Sequence, residues 1–451
     1  MQIVIVGGGT VGFDLAAQLR KAGHDVGLVE RDPARSTELQ DKLDALVVEG
    51  AGSSPLALEQ AGLRGADMVL AVTSSDEVNI LVCGLAEQWD VATRIARVRN
   101  PEFTSRRSRV DLHRLGVTRV IDPERILVRV IDQIARIPDV VEAFGYHDGD
   151  VLIVRHIMTE RMPVVGHPLS ELSKRTAGER LLAVALQRGS ETRIPSGKDI
   201  LQPGDDVTTV FASRSLPRYL EMLALTGRQV HKAIVFGDGL AALRLCEVFS
   251  AWVDDLTLID PDAAHGRLAA ERLDKAEVIH GDATNRDVLR EVQVSGAGLF
   301  VGAARITADN VMSALLARSE GAARVIVVSD EPSNNRLFRH LGIDHVVTPR
   351  RLMAQEIMDV IHRGRRSLEL QLRDMPLESV LMRADPGSPV TRGPLAETWA
   401  ALRGRAIVGA VVHEGETVIP GGETRIAPGD DAVIVTEPGE VKKVQKIFGG
   451  A

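Results

Sequence analysis

Two cysteines in 451 residues, aromatic side chains at only 3% and no apolar run approaching the roughly 18 residues of a membrane span narrow the field at once. Cys83 and Cys246 lie far apart without a C-x-x-C spacing, so they read as two buried thiols rather than a disulfide or a thiolate metal site. The twelve histidines make no metal-ligand spacing such as H-E-x-x-H. A net charge of −8 with both signs mixed, and few rings on which bases could stack, argue against a DNA or RNA partner. The chain opens directly in an apolar run, with no basic leader or cleavage site, so the expectation is a cytoplasmic protein with no membrane-inserted segment. Hydrophobic content of 44% against 26% charged residues is that of a soluble globular chain, and its length predicts two to four domains.

What the sequence does hold is a glycine turn at its start. Ile3 to Val6 is an apolar β-branched run that ends in three glycines and passes straight into the helical pattern Phe13-Asp14-Leu15-Ala16-Ala17-Gln18-Leu19. Gly7, Gly9 and Gly12 satisfy G-x-G-x-x-G, where the missing Cβ atoms serve a tight turn, close approach to a pyrophosphate and helix-on-strand packing. The helix start would aim its free N–H groups and partial positive charge at phosphate. The next strand, Val26 to Val29, ends in Glu30, where a carboxylate can receive ribose hydroxyls. Further strands at 45–48, 68–72 and 94–98 alternate with helices, which implies a doubly wound parallel sheet with its site at the carboxyl ends of the strands. Glu30, the 49–54 loop, Thr73 to Asp76 and Arg99 all fall there. Thr73, Ser74 and Ser75 also suit a helix cap, and Arg97 and Arg99 alternate on a strand as solvated or ion-paired residues do. An amphipathic helix from Asp122 to Ile137 reads either as core packing or as a subunit-crossing, dimerising helix.

The chain then repeats itself. A small α+β module occupies about 141–225, after which Ala233 to Phe236, Gly237-Asp238-Gly239 and Asp260 restate the opening 230 positions on, with Ala242 for the third glycine. Pro203-Gly204-Asp205-Asp206 recurs as Pro428-Gly429-Asp430-Asp431, and these turns read as strand connections rather than ligand loops. The boundaries expected are 1–138, 139–228, 229–365 and 366–451. Arg97 and Arg99 become Val328 and Asp330, and Asp238 puts a negative charge inside the second turn. The stronger site is therefore expected in the first half. A weaker second site would use Gly237, Gly239, Asp260 and Asp282.

The motifs IVIVGGGTVG at 3–12, VERDP at 29–33, LVVEGAGSSP at 46–55, LAVTSSDEVN at 70–79 and IARVRNP at 95–101 closely resemble the TrkA family, cytosolic nucleotide-binding subunits of Trk potassium uptake systems. The resemblance implies two tandem RCK units, each a Rossmann-like domain followed by a small C-terminal domain. It also implies a tetrameric ring, peripheral at the inner face of the membrane, that regulates a separate Trk-type channel subunit and is not an enzyme. NAD(H) is the implied ligand, with ATP or ADP as alternatives. By position, Gly7, Gly9, Thr10, Val11 and Gly12 would cradle phosphates and Glu30 with Arg31 would meet the ribose. Gly50, Ala51, Thr73, Ser74, Asp76 and Asn79 would line the cleft, and Arg97 and Arg99 would meet the outer phosphates. Family members usually carry Asp where this chain has Ala51. The rival readings are an NAD-dependent dehydrogenase, for which no catalytic constellation is evident, and a small-molecule or cyclic dinucleotide sensor acting through the C-terminal modules.

Overall fold

The computed structural model describes residues 1–105, 108–146, 149–172, 180–226, 230–330, 335–362, 368–371 and 375–449. The first 136 residues alternate strand and helix: β1 (Gln2–Val6), α1 (Thr10–Lys21), β2 (Asp25–Glu30), α2 (Pro33–Lys42), β3 (Leu46–Glu49), α3 (Pro55–Gln60), β4 (Met68–Ala71), α4 (Asp76–Glu87), β5 (Thr93–Arg97), α5 (Pro101–Thr104), β6 (Arg119–Ile121) and α6 (Pro123–Arg136). The strands form one sheet in the order β3-β2-β1-β4-β5-β6, and every pair is parallel. Central strands of such a sheet are covered on both faces, and Ile3, Val4 and Ile5 are fully buried. The helix starts follow local chemistry: Asp32, Ser54 and Ser75 accept backbone N–H bonds at the heads of α2, α3 and α4, and Pro33 and Pro55 stand in first turns. β3 begins one residue later than the sequence pattern indicates. β6, three residues long, falls below the length at which alternation is legible.

A small module follows, with β7 (Val140–Tyr146), β8 (Val151–Ile157), α7 (Leu169–Leu172), β9 (Leu182–Arg188), β10 (Glu191–Arg193), β11 (Asp206–Ala212) and α8 (Leu216–Met222). The parallel architecture then returns as β12 (Lys232–Phe236), α9 (Leu240–Phe249), β13 (Asp255–Asp260), α10 (Ala263–Arg272), β14 (Ala276–His280), α11 (Arg286–Glu291), β15 (Leu299–Gly302), α12 (Thr307–Ser319), β16 (Val325–Val328), α13 (Asn335–His340), β17 (His345–Val347) and α14 (Pro349–His362). The order β14-β13-β12-β15-β16-β17 copies the first sheet. The second small module contains β18 (Leu368–Gln371), β19 (Glu378–Arg383), α15 (Leu395–Thr398), β20 (Ala406–His413), β21 (Glu416–Val418), β22 (Asp431–Thr436) and α16 (Val441–Phe448). Both small sheets are antiparallel, and they share a core that includes Val184, Val210, Ala410 and Val433. The Pro-Gly-Asp-Asp turns lead into β11 and β22. Their first aspartates, Asp205 and Asp430, are buried and accept N–H bonds from Gln202 and Ala427 at 2.8 Å each.

The chain divides into two compact units, residues 1–128 with 328–335 and 347–357, and residues 129–327 with 336–346 and 358–451. α6 and α14 each begin in the first unit and end in the second. Within the second unit, the far half of α6 buries Ile131 and Ile134, and Asp132 accepts the Trp252 indole N–H at 2.9 Å. The helix read as core packing or subunit-crossing thus packs along the second repeat of its own chain. Its last carbonyls, on Ala135 and Ile137, accept from Arg324 at 2.6 and 2.9 Å, which satisfies groups that a helix end leaves open. Within the first unit, α14 sets Glu356 3.8 Å from Arg119 of β6.

Arg324→Leu strips those carbonyls of donors in a buried place, and the expected cost is about 1–3 kcal/mol. A urea denaturation midpoint equal to that of the unsubstituted chain would refute this capping role.

Candidate functional site

The turn after β1 is built on contacts that admit no side chain. A Cβ at Gly12 would lie 1.9 Å from the Gly7 carbonyl oxygen, and Gly7 itself has a φ of +107°, a conformation that favours glycine. A Cβ at Gly8 would meet Leu39 at 2.4 Å. Gly9 differs, because a Cβ there would meet nothing within 4 Å. Gly9 is also the N-cap of α1 and offers no side-chain acceptor, so the first N–H groups of a 12-residue helix face open space. Thr10 is exposed beside it, whereas Val11 turns into the core and presents only backbone.

The strand ends around this turn are held by one another. The Glu30 carboxylate accepts the Gly8 N–H at 2.6 Å and the Asp32 N–H at 2.9 Å, which ties β2 to the glycine turn. Arg31 is exposed. Gly50 donates to the Glu30 carbonyl at 2.8 Å, and exposed Ala51 opens the short loop that closes when Ser54 N–H donates back to it. Asn79 is fully buried; its oxygen accepts from the Thr73 N–H and hydroxyl at 2.9 and 2.7 Å, and its NH₂ donates to the Arg97 carbonyl at 2.8 Å. It therefore brackets β4 to β5, and its repeat Asn310 brackets Ala304 in the same way. Asp76 accepts the N–H groups of Arg99 and Asn100 at 2.9 and 2.7 Å, and the Arg99 guanidinium donates to the Ser74 carbonyl at 2.9 Å.

Two charged groups beyond the sequence reading join this edge. Arg35 donates from Nε to the Gly8 carbonyl at 2.9 Å, which adds a cation beside the turn. Glu124, in the first turn of α6, is a charged neighbour of Arg97. Arg97 Nε and Glu124 Oε2 are both buried without a hydrogen-bond partner among the described residues. Burial, then the charge of Arg99, pushes the Arg97 guanidinium below its ordinary value, against the opposing pull of Glu124, Asp76 and Asp330. Burial raises the Glu124 carboxyl. Arg35 was legible only as a helix residue, and Glu124 only as part of a helix start after Asp122-Pro123.

The second copy keeps the frame and bridges its turn with its own side chains. Gly237 lies outside the left-handed region, which leaves space for Ala242 where the first copy requires Gly12. Asp238 pairs with Arg305, whose Nε and Nη2 approach at 2.7 and 2.5 Å. Asp260 is fully buried, accepts the Asp262 N–H at 2.8 Å and contacts His265 Nδ1 through its other oxygen. Asp282 accepts from the Thr284 N–H and hydroxyl, both at 2.8 Å. A Cβ at Gly239, as at Gly9, would meet nothing within 4 Å. Among the described residues no cluster of His, Cys, Asp or Glu suits a metal ion, and no helix is long and apolar enough to cross a membrane.

A family model described as the TrkA-N domain matches residues 3–123 and again 233–349, and one described as the TrkA-C domain matches 380–449. The Trk system potassium uptake protein TrkA of Azorhizobium caulinodans is 29% identical over 456 residues, covering 99% of this chain and 98% of its own. Its counterpart in Halomonas elongata is 27% identical with the same coverage of both chains. Among solved structures, the GsuK RCK domain has a TM-score of 0.61 at 17% identity, over 99% of this chain and 94% of that one. The GsuK channel bound to NAD has a TM-score of 0.63 at 18% identity, over 99% and 78%. At such identities the likeness is one of fold.

The Asp238–Arg305 pair carries a pH signature. Burial alone would raise the Asp238 carboxyl, but hydrogen bonds and charge from Arg305 outweigh it and hold the group below the usual carboxylate range. A depressed carboxyl stabilises the fold above its unfolded value, about 3.9, and that contribution is lost as pH falls through the lower folded value. Asp238→Asn should therefore lower the unfolding midpoint at neutral pH and flatten its fall below about pH 4. Parallel melting curves for the two proteins at pH 7 and pH 3.5 measure this, and an unchanged difference between them would count against the pair.

Proposed function

The chain belongs to the TrkA family, and from that premise we propose that it is a nucleotide-sensing subunit controlling potassium uptake through a separate membrane protein. The observation that carries the reading is the open, uncapped start of α1 at Gly9, with Arg97 and Arg99 on the same edge of the sheet. A helix N-terminus with no acceptor of its own is a phosphate site, and flanking cations suit a second phosphate. Glu30 at the end of β2 suits the diol of an adenosine ribose and disfavours a 2′-phosphate, so NAD or NADH is the ligand proposed, with ATP or ADP competing. Ala51, in place of a carboxylate, leaves the loop after β3 without an anionic contact. The name of the Azorhizobium relative, and the NAD in the GsuK channel structure, support this reading.

Glu30, Thr73, Asp76 and Asn79 are each engaged by protein hydrogen bonds. That supports binding over turnover, and hence a regulator rather than a dehydrogenase. The working assembly is a cytosolic ring of four chains at the inner face of the membrane, with Rossmann-like domains at 1–138 and 229–365 and C-terminal modules at 139–228 and 366–451. Ligand shifts such a ring only by its preference for one conformation. A tenfold preference supplies about 1.4 kcal/mol per site, so several sites acting together bias a gate strongly.

Gly9 and Gly239 both have room for a side chain, which makes a clean pair of variants. In calorimetric titrations of the full chain with NADH, NAD, ATP and ADP, Gly9→Asp should weaken the tightest ligand at least about tenfold, or 1.4 kcal/mol. Gly239→Asp should leave it unchanged. Equal affinity for the unsubstituted chain and Gly9→Asp would place the ligand elsewhere. For the physiological half of the proposal, the measurement is potassium uptake by a deletion strain at limiting potassium; normal uptake would overturn it.

A further inference from the structure

Between the two Rossmann-like repeats the sign of charge inverts at matched positions. Arg99, two residues past β5, answers to Asp330, two residues past β16. Glu124, the second residue of α6, answers to Arg350, the second residue of α14. The match is fixed by its surroundings, since Leu115-Gly116 recurs as Leu341-Gly342 and Asp122-Pro123 stands where Thr348-Pro349 does, all at an offset of 226. Each repeat therefore sets one charge beyond its fifth strand and the opposite charge in the first turn of the helix after its sixth. All four residues belong to the first compact unit.

Within that unit the second repeat's pair comes to the edge of the first repeat. Glu356 of α14 lies 3.8 Å from Arg119, the first residue of β6, and Arg350 is six residues nearer the start of that helix, about 9 Å along its axis. β6 ends level with β5, Ile121 standing opposite Arg97. Asp330, the ion-pair partner of Arg350, is close enough for its charge to act on the Arg97 guanidinium. The head of α14 thus stands at the carboxyl end of β5. There the Arg350 guanidinium approaches Asp330 only to 3.7 Å, longer than a hydrogen bond, and the Asp330 side chain is 56% exposed. A solvated pair at that separation is weak. A phosphate oxygen is the stronger acceptor, because it meets the guanidinium fork in a charge-assisted, bidentate way.

Resting on the nucleotide reading of the first repeat, we propose that Arg350 of the second repeat is a binding residue of that site, exchanging Asp330 for the outermost phosphate of a nucleoside triphosphate held at the head of α1. Arg97 and Arg99 alone leave such a ligand short of positive charge. Glu124 and Asp76 already oppose Arg97, and the Arg99 guanidinium is engaged by the Ser74 carbonyl. The second repeat supplies the missing cation where the first has Glu124. A triphosphate therefore ties the head of α14 to the first repeat, and a monophosphate, too short to reach it, does not.

Calorimetric titration of the full chain with AMP and ATP tests this. Arg350→Gln should weaken ATP about tenfold and leave AMP unchanged. Should that variant lose its thermal unfolding transition, Arg350→Lys takes its place; it keeps the charge without the fork and should weaken ATP several-fold, again sparing AMP. Gly9→Asp should weaken both nucleotides in either background. If Gly9→Asp weakens both while a folded Arg350 variant keeps the ATP-to-AMP affinity ratio of the unsubstituted chain, the site stands and the role of Arg350 is overturned. Equal weakening of AMP and ATP by the Arg350 variant marks a structural role and also overturns it. Failure of either nucleotide to bind, or indifference of both to Gly9→Asp, overturns the reading of the site and this inference together.

Discussion

The contact between Gly12 and Gly7 governs the first half of this chain. With a Cβ excluded at 1.9 Å from a carbonyl oxygen, α1 can lie directly on the end of β1. The helix therefore starts at the strand's carboxyl edge, and its first N–H groups emerge where β4 and β5 also end. Gly7, turned to a φ of +107°, has the Thr73 backbone against it, so the turn and the β4 end come as one piece. Asn79 and Asp76 then spend their side chains holding the surrounding backbone, while Glu30 ties down Gly8 and Asp32 through one hydrogen bond to each oxygen and keeps acceptor capacity on both. What remains unspent is Gly9, the head of α1, Arg97 Nε and Glu124 Oε2. The open helix head and the Arg97 guanidinium suit the anion site proposed for this edge, and the Glu124 carboxylate opposes it.

Duplication relaxed that constraint in the second copy. Once Gly237 left the left-handed region, the helix could carry Ala242, and the same strand order persisted, with Gly239 open and uncapped at the head of α9 as Gly9 is at the head of α1. Asp238 and Arg305, 67 residues apart, meet across the turn, and His265 sits on the buried carboxylate of Asp260. The turn of the second Rossmann-like repeat is thus bridged by its own ion pair, with Gly239 still open beside it. That copy serves the fold in any case, because each sheet, shared core and helix end requires its partner elements whether or not a ligand is bound.

The parts of this arrangement that could be read from the residues are those set by backbone sterics and local capping. Glycine spacing, Asp32-Pro33 and Ser54-Pro55 each record a short-range requirement that the structure meets, and the 230-residue offset reappears as a second sheet of the same strand order. β6 and β17 escaped because three residues carry no periodicity. Arg35 and Glu124 escaped for another reason: their roles depend on which strand end lies opposite, and a charged residue on a helix looks solvated until the neighbour is known. The apolar stripe of α6 announced burial but not its partner, which for its far half turned out to be the second repeat.

α6 is where these observations converge on regulation. Its first turn places Glu124 beside Arg97, two half-buried groups of opposite charge with one buried polar atom each unsatisfied among the described residues. Its other end is fixed within the second unit by Asp132 and by the carbonyls that Arg324 caps. On the proposed reading, a nucleotide phosphate at this edge would satisfy Arg97 and oppose the charge on Glu124, and so alter the electrostatics at the head of a helix whose tail is held elsewhere. Such a change has consequences only if the phosphate is bound differently in two positions of that helix, since a ligand with equal affinity for both shifts nothing. On that reading, a position that lets Arg97 reach the phosphate would gain a charge-assisted hydrogen bond that the other lacks, about 1.5–3 kcal/mol, within the usual range of coupling between distant sites.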